Sequence, residues 1–326
     1  MTGQPDTSAP QRSWPRTALR TILQYGGSAL ILYFIFRLLP GRQVWKALGL
    51  LPARLWVLVL AGYLAAHVVG AMKYQLVLNL GGAQIPGRQA ARCYFAGLFG
   101  SLFLPSLIGG DILRIAMALR MSRSKAGVLL GSLVDRITDF TSLALLAAIG
   151  TLLVPGALDE RSRKVFFIVG AAGGVGATCA AIVLALFPAR RFSLRVRRRF
   201  VRLRRAWRSI LRRPSAMLRA LSMSLIVQVT FIFLNVQLAD ACGLHLPYRV
   251  WLFAWPLAKL SAIVPVTQAG IGVREAALAA LLLPFGAPAV LAVAAGLAWD
   301  AVVVGGAIAG GIFAMVTGRL WRQNAS

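Results

Sequence analysis

Leu104-Pro105-Ser106-Leu107-Ile108-Gly109-Gly110-Asp111 interrupts an apolar region that runs from residue 93 to 119. Pro105 lacks a backbone donor and Gly109-Gly110 adds chain freedom, so this stretch predicts a broken helix. Each arm keeps roughly 10–15 residues, about 15–22 Å at 1.5 Å per residue. That reaches about halfway through the ~30 Å hydrocarbon core of a bilayer. Region 250–284 carries a similar interruption, Val264-Pro265-Val266-Thr267-Gln268-Ala269-Gly270-Ile271-Gly272.

The sequence around these breaks is that of a multispanning helical membrane protein. Six further segments are long and apolar enough to cross a bilayer: about 19–39, 55–80, 127–154, 165–187, 217–241 and 289–316. Hydrophobic residues make up 58% of the chain and the mean hydropathy is +0.73, which leaves too little charged sequence to cover a soluble core. Basic residues outnumber acidic ones 36 to 9, a net charge of +27. They sit mainly between the apolar stretches, as on a cytoplasmic membrane face, and not on a separate nucleic-acid-binding domain.

Charge also decides how the broken regions run. If both enter and leave on one side, Arg12, Arg16 and Arg20 share a face with Arg88, Arg92, Arg120, Arg123 and Lys125. The Arg-rich stretch 190–219, Arg319 and Arg322 join them. If 93–119 crossed once, the 13 arginines of 190–219 would fall opposite the basic N-terminus, against the positive-inside bias. The expected fold is therefore all-α and polytopic, with six full spans and two re-entrant broken-helix hairpins. Residues 1–18 read as a disordered tail, 19–317 as the membrane domain with 190–213 as a basic cytoplasmic loop, and 318–326 as a second tail. Both termini are expected on the cytoplasmic side of a bacterial-type inner membrane.

The two breaks echo one another. Pro105-x4-Gly110-x3-Arg114 is matched by Pro265-x4-Gly270-x3-Arg274, and Asp139 and Asp300 follow 25 and 26 residues beyond the two arginines. Broken helices at corresponding positions of two inverted halves mark a midplane transport site. The echo thus predicts an inverted repeat, with chance recurrence in a Gly/Pro-rich chain as the alternative.

A charge inside a span costs about 2.5–3.5 kcal/mol on insertion scales, so it needs a partner or a wet cavity. The candidates are Asp111, Arg114, Asp135, Arg136, Asp139, Lys259, Arg274, Glu275 and Asp300. Arg114, Arg274 and Lys259 are the expected headgroup-binding residues, because a guanidinium holds phosphate by two parallel hydrogen bonds. Asp111, Asp135, Arg136, Asp139, Glu275 and Asp300 are expected to orient these bases or carry protons. The competing reading is internal ion pairing that only holds helices together. Pro105, Gly109, Gly110, Pro265, Gly270 and Gly272 are the expected hairpin breaks.

Other polar residues read more simply. His67 is expected to be a helix-packing residue, and Lys73 to reach the interface along its own stem. His245 has no ligand companion. Cys93, Cys179 and Cys242 lack metal-ligand spacing and read as small buried hydrophobes. Gly170-x3-Gly174 and Gly306-x3-Gly310 read as close-packing faces, within the chain or between copies in a homo-oligomer. The arginines of 190–213, interleaved with Phe200, Leu203 and Trp207, fit an amphipathic helix on an anionic leaflet. No cofactor, metal or nucleotide-binding loop is expected.

The run Gly97-Leu98-Phe99-x4-Leu104-Pro105-x3-Gly109-Gly110-Asp111-x2-Arg114 resembles the first signature of the lysylphosphatidylglycerol synthetase transmembrane region, the flippase-like domain family. Asp135-Arg136-x2-Asp139 and Pro265-x4-Gly270-Ile271-Gly272-Val273-Arg274-Glu275 resemble its later elements, over about residues 20–317. The resemblance implies a lipid translocase acting on a phosphate-bearing lipid or polyprenyl-linked glycolipid, with anionic membrane lipids as partners. About ten residues follow the last span, so the synthetase activity of the fused enzymes is not expected of this chain. Two alternatives stand: a membrane-embedded lipid transferase holding Mg²⁺ at Asp135 and Asp139, and a noncatalytic membrane partner protein.

Overall fold

A computed structural model describes residues 41–103, 107–154, 201, 207–261 and 272–323. The described residues are helical, with no strand among them. We number the helices α1 (Gly41–Gly49), α2 (Ala53–Leu80), α3 (Gly87–Phe103), α4 (Leu107–Met121) and α5 (Lys125–Leu153) in the first part. The second part holds α6 (Pro214–Ala241), α7 (Tyr248–Ser261), α8 (Val273–Leu282) and α9 (Ala289–Gln323). Four helices are long and apolar enough to cross a membrane: α2, α5, α6 and the Ala289–Gly318 portion of α9. They match four of the six expected spans; 19–39 and 165–187 lie outside the described residues. Large apolar side chains such as Val57, Leu58, Leu129, Leu218 and Ile312 face outward, while Lys73, Asp135 and Glu275 are buried. That inversion of the soluble pattern suits a lipid surround, and the chain is a multi-pass membrane protein.

Each expected hairpin is a pair of short helices packed on one another, α3 with α4 and α7 with α8. The first pair is antiparallel: Cys93 lies 3.8 Å from Met121 through their sulfurs, and Gly97 lies against Gly110 and Arg114. One expectation needs correction. Gly109 and Gly110 are not the break; they lie buried in the first turn of α4. A Cβ on Gly110 would collide with the carbonyl oxygen of Gly97, so the missing side chain serves close approach of the two arms. Pro105, Pro265 and Gly270 lie outside the described residues. Gly272 caps α8 at φ +89°, a conformation that favours glycine.

The two parts repeat one plan of long helix, helix pair and long helix. α2 and α6 are each 28 residues long. α2 stops at Gly82 (φ +85°), with Gly82 N–H donating to Asn79 O and Ala83 N–H to Leu78 O at 3.0 and 3.1 Å. α6 stops at Gly243 (φ +88°), with Gly243 N–H donating to Asp240 O and Leu244 N–H to Ala239 O at 3.0 and 2.9 Å. These left-handed caps satisfy carbonyls that the helix ends would otherwise leave bare. Pro86 and Pro247 then precede the next helix, followed by Arg88 and Arg249. The packing is reciprocal too: α5 lies on α7, and α9 lies on α3.

Direction follows from side-chain contacts. Gly62 faces Leu234, Tyr63 stacks on Phe231 at 5.3 Å, and Lys73 reaches Ser224 at 2.9 Å, so α2 and α6 run antiparallel. The α2–α3 turn accordingly shares one end of the bundle with the α4–α5 turn: Ser122 Oγ donates to Ala83 O at 2.7 Å. The α6–α7 turn lies at the other end, where Leu246 and Arg249 line one cavity with Leu153 and Phe285.

Candidate functional site

The first charged group is assembled from α2, α4, α5 and α6. Asp135 and Asp139, one turn apart on α5, both pair with Lys73 of α2, with Asp135 at 3.0 Å. Ser224 of α6 accepts a hydrogen bond from Lys73 at 2.9 Å and donates one to Asp139 at 2.8 Å. Arg114 of α4 pairs with Asp111 at 3.1 Å and Asp135 at 2.8 Å. Arg136 closes the ring with Asp111 at 3.0 Å, Asp139 at 3.5 Å and Asp135 at 3.7 Å. Three bases thus meet three acids. The side chains of Lys73 and Arg114 are 3% and 4% exposed whereas that of Arg136 is 38% exposed, so Arg136 is the most accessible base of the three.

The second group sits on α7, α8 and α9. Arg274 pairs with Glu275 at 3.0 Å and with Asp300. Glu275 also accepts from the Gly272 N–H and so caps α8. Lys259 of α7 stands apart. It donates to the Gln228 side-chain carbonyl at 2.9 Å and lies 4.8 Å over the Phe231 ring. No carboxylate pairs with it among the described residues. It lies within electrostatic range of Asp139 in the first group and Arg274 in the second.

Aromatic rings join the groups. Arg114 lies over Tyr74 at 4.6 Å and Tyr94 at 5.7 Å; Arg274 lies over Trp255 at 5.8 Å. Tyr94 and Trp255 are each on the first arm of a helix pair, and each arginine is on the second arm. Tyr94 shares a 3.0 Å hydrogen bond with His67, which packs edge-on to Tyr63 at 4.4 Å. Tyr63 continues to Trp299 at 5.6 Å, and Trp299 to Trp255 at 5.1 Å. Such faces favour cations and tolerate an apolar neighbour.

Depth follows from helix rise. Arg114 is seven residues from the Met121 end of α4, about 10 Å. Asp139 is fourteen residues from either end of α5, about 21 Å and so at its middle. Asp300 is eleven residues from the start of α9, about 16 Å from the opposite end of the bundle. The two groups approach the middle from opposite ends.

The sequence-selected residues Asp111, Arg114, Asp135, Arg136 and Asp139 therefore meet in one group, and Arg274, Glu275 and Asp300 in another, with Lys259 between. Lys73 needs correction: it does not extend to the interface but is 2% exposed and holds both α5 aspartates. Ser224, Tyr94 and Trp255 were not singled out by sequence reasoning. The recurrence of an aromatic 20 residues before Arg114 and 19 before Arg274 was an available signal. Five of the chain's nine acidic residues lie in these groups with four bases, and Lys259 brings the bases to five, so among the described residues the formal charges of the seam balance. Among the described residues no three His, Cys, Asp or Glu side chains stand together as metal ligands. The Asp135–Asp139 pair, offered above as a Mg²⁺ site, holds Lys73.

Fold and interior define a polytopic helical membrane protein with a polar, ion-paired seam. The family model of the lysylphosphatidylglycerol synthase transmembrane region matches residues 21–311, and the chain belongs to that family. No curated protein and no solved structure gives a significant match.

Proposed function

We propose that the protein is a lipid translocase, not an enzyme, that moves a phosphate-bearing headgroup between leaflets along this seam while acyl chains stay in the bilayer. In this reading the α3–α4 and α7–α8 pairs are re-entrant hairpins of an inverted repeat among six spans. The chain sits in a bacterial-type inner membrane with basic, cytoplasmic termini. One observation carries the reading: two arginines, each over an aromatic ring and each bound to an aspartate of the long helix that follows, approach the middle from opposite ends. Family membership and the antiparallel α2–α6 contact support it.

A phosphate would meet Arg136 or Lys259 first, then exchange with a carboxylate for bidentate binding to Arg114 or Arg274. Because acids balance the bases, such exchange leaves no anion permanently trapped, as transport requires. A transferase reading would need a divalent cation to displace Lys73 from between Asp135 and Asp139, so transport is preferred.

The test is dithionite accessibility of a fluorescent phosphatidylglycerol in proteoliposomes. Arg114→Ala and Arg274→Ala are expected to slow leaflet exchange well below wild type. Equal rates in wild type and in both folded variants would remove the headgroup site.

A further inference from the structure

Away from the polar seam, a groove of about 390 Å³ opens on the outer wall between α2, α3 and α9. Along α2 it runs from Leu64 to Gln75, eleven residues or about 16 Å. That is about half of a ~30 Å hydrocarbon core, the depth of a single leaflet. Val68 and Met72 on its wall are 50% and 54% exposed, and Phe95 meets Phe313 edge-on at 5.1 Å along its floor. Gln75 is the one polar side chain among its described lining residues, and it sits at the end where α3 begins.

That same end is basic. Arg88, exposed, follows the lining residue Gly87. Arg92, one turn on, crosses the α3–α9 seam, where its Nε donates to Ala314 O at 3.3 Å and its guanidinium lies against Gly318. The order along the groove is thus cation, amide, hydrocarbon. It is the order of phosphate, glycerol ester and acyl chain in a phospholipid. The groove depth matches one leaflet, and the basic rim selects an anionic headgroup.

We propose that this groove binds one anionic phospholipid of the leaflet on the Arg88 side. Its phosphate lies between Arg88 and Arg92, its ester carbonyl accepts from the Gln75 amide, and one acyl chain lies along Val68, Met72 and Phe95. The site is independent of the transport reading: its rim and lining share no residue with the ion-paired groups.

A photo-cross-linking amino acid at Met72 tests this in the full-length protein. The control is the same probe at Ile226 on α6, which is 53% exposed and lies outside the groove. The vesicles are phosphatidylcholine with a minor fraction of phosphatidylglycerol. Phosphatidylglycerol adducts are expected to exceed their bilayer share at Met72 and to match it at Ile226. Arg88→Gln should reduce the Met72 excess about fivefold, the effect of one basic residue near an anionic surface. Adding Arg92→Gln should abolish it. Arg88 is exposed, so its single substitution keeps the test valid if the double variant fails to fold. Equal adducts at both positions, or a Met72 excess unchanged by Arg88→Gln, would overturn the proposal. So would adducts to residues 19–39 of the same chain or to a second copy, because either would mean that protein fills the groove. A fall in leaflet exchange in Arg114→Ala with the Met72 excess unchanged would show that the two sites are separate.

Discussion

At the scale of single residues, Lys73 carries the sharpest consequence. Its ammonium is buried between two carboxylates, so removing it leaves three acids of this group facing two bases. Lys73→Met is expected to destabilise by about 3–5 kcal/mol, the usual cost of breaking a buried pair from one side. Adding Asp139→Leu should recover part of that loss, a coupling of about 0.5–3 kcal/mol in a thermal or denaturant melt of the purified protein. Strict additivity would mean that the pair is not formed. Lys259 should behave in the opposite way. Its partners are an amide and a ring face, neither of which is left charged when it goes. Lys259→Met should therefore melt near wild type yet slow leaflet exchange about tenfold or more, the loss of one hydrogen bond to a charged group. The acidic and basic positions themselves were legible in the sequence because charge in an apolar run is conspicuous. Which base met which acid was not. Lys73 lies 62 residues before Asp135 and 151 before Ser224, and nothing local announces such partners.

Among the elements, glycine placement does most to set helix spacing. Gly110 abuts the Gly97 carbonyl, Gly127 abuts Gly81, and Gly131 sits on the Leu78 backbone. A methyl group at Gly110 would force α3 and α4 apart and displace Arg114, which lies one turn further along α4. Gly110→Ala is expected to cost about 1–3 kcal/mol as overpacking. Gly305→Ala is the matched control, since its Cβ would meet only Leu60 methyls at 3.7 Å or more. It should hold or slightly raise the melting temperature, because alanine favours a helix by up to about 1 kcal/mol over glycine. The same residues show where sequence reading stops. Regions 93–119 and 250–284 each hold two helices, as expected, while Pro105, Pro265 and Gly270 lie outside the described residues. Gly109-Gly110 was nevertheless taken for the interruption itself, because a glycine that loosens a chain and one that admits a neighbour look alike until the neighbour is known. The matched caps at Gly82 and Gly243, each followed by Pro-x-Arg, were visible in the sequence but lie outside the apolar windows that located the spans.

Over the whole molecule, the decisive feature is that the two helix pairs open toward opposite ends. Tyr63 on Phe231 and Lys73 on Ser224 fix α2 and α6 as antiparallel. The α2–α3 turn meets the α4–α5 turn through Ser122 and Ala83, while Leu246 and Arg249 share a cavity with Leu153 at the far end. A bilayer normal to these helices must then place Arg88 and Arg123 on one face and Arg249 on the other. In the proposed orientation the first face is the cytoplasmic one, a choice that the positive-inside bias favours because Arg120, Lys125, Arg208, Arg212 and Arg213 gather there as well. Single cysteines at 88, 123 and 249, in a background lacking Cys93, Cys179 and Cys242, test this with an impermeant maleimide on intact cells. Position 249 is expected to label from outside, and 88 and 123 only after permeabilisation. Labelling of 88 and 123 from opposite sides would mean that α3 and α4 together cross the bilayer once. Arg114 and Arg274 would then no longer face each other from opposed halves, and the proposed seam would lose the two-sided access that a headgroup needs.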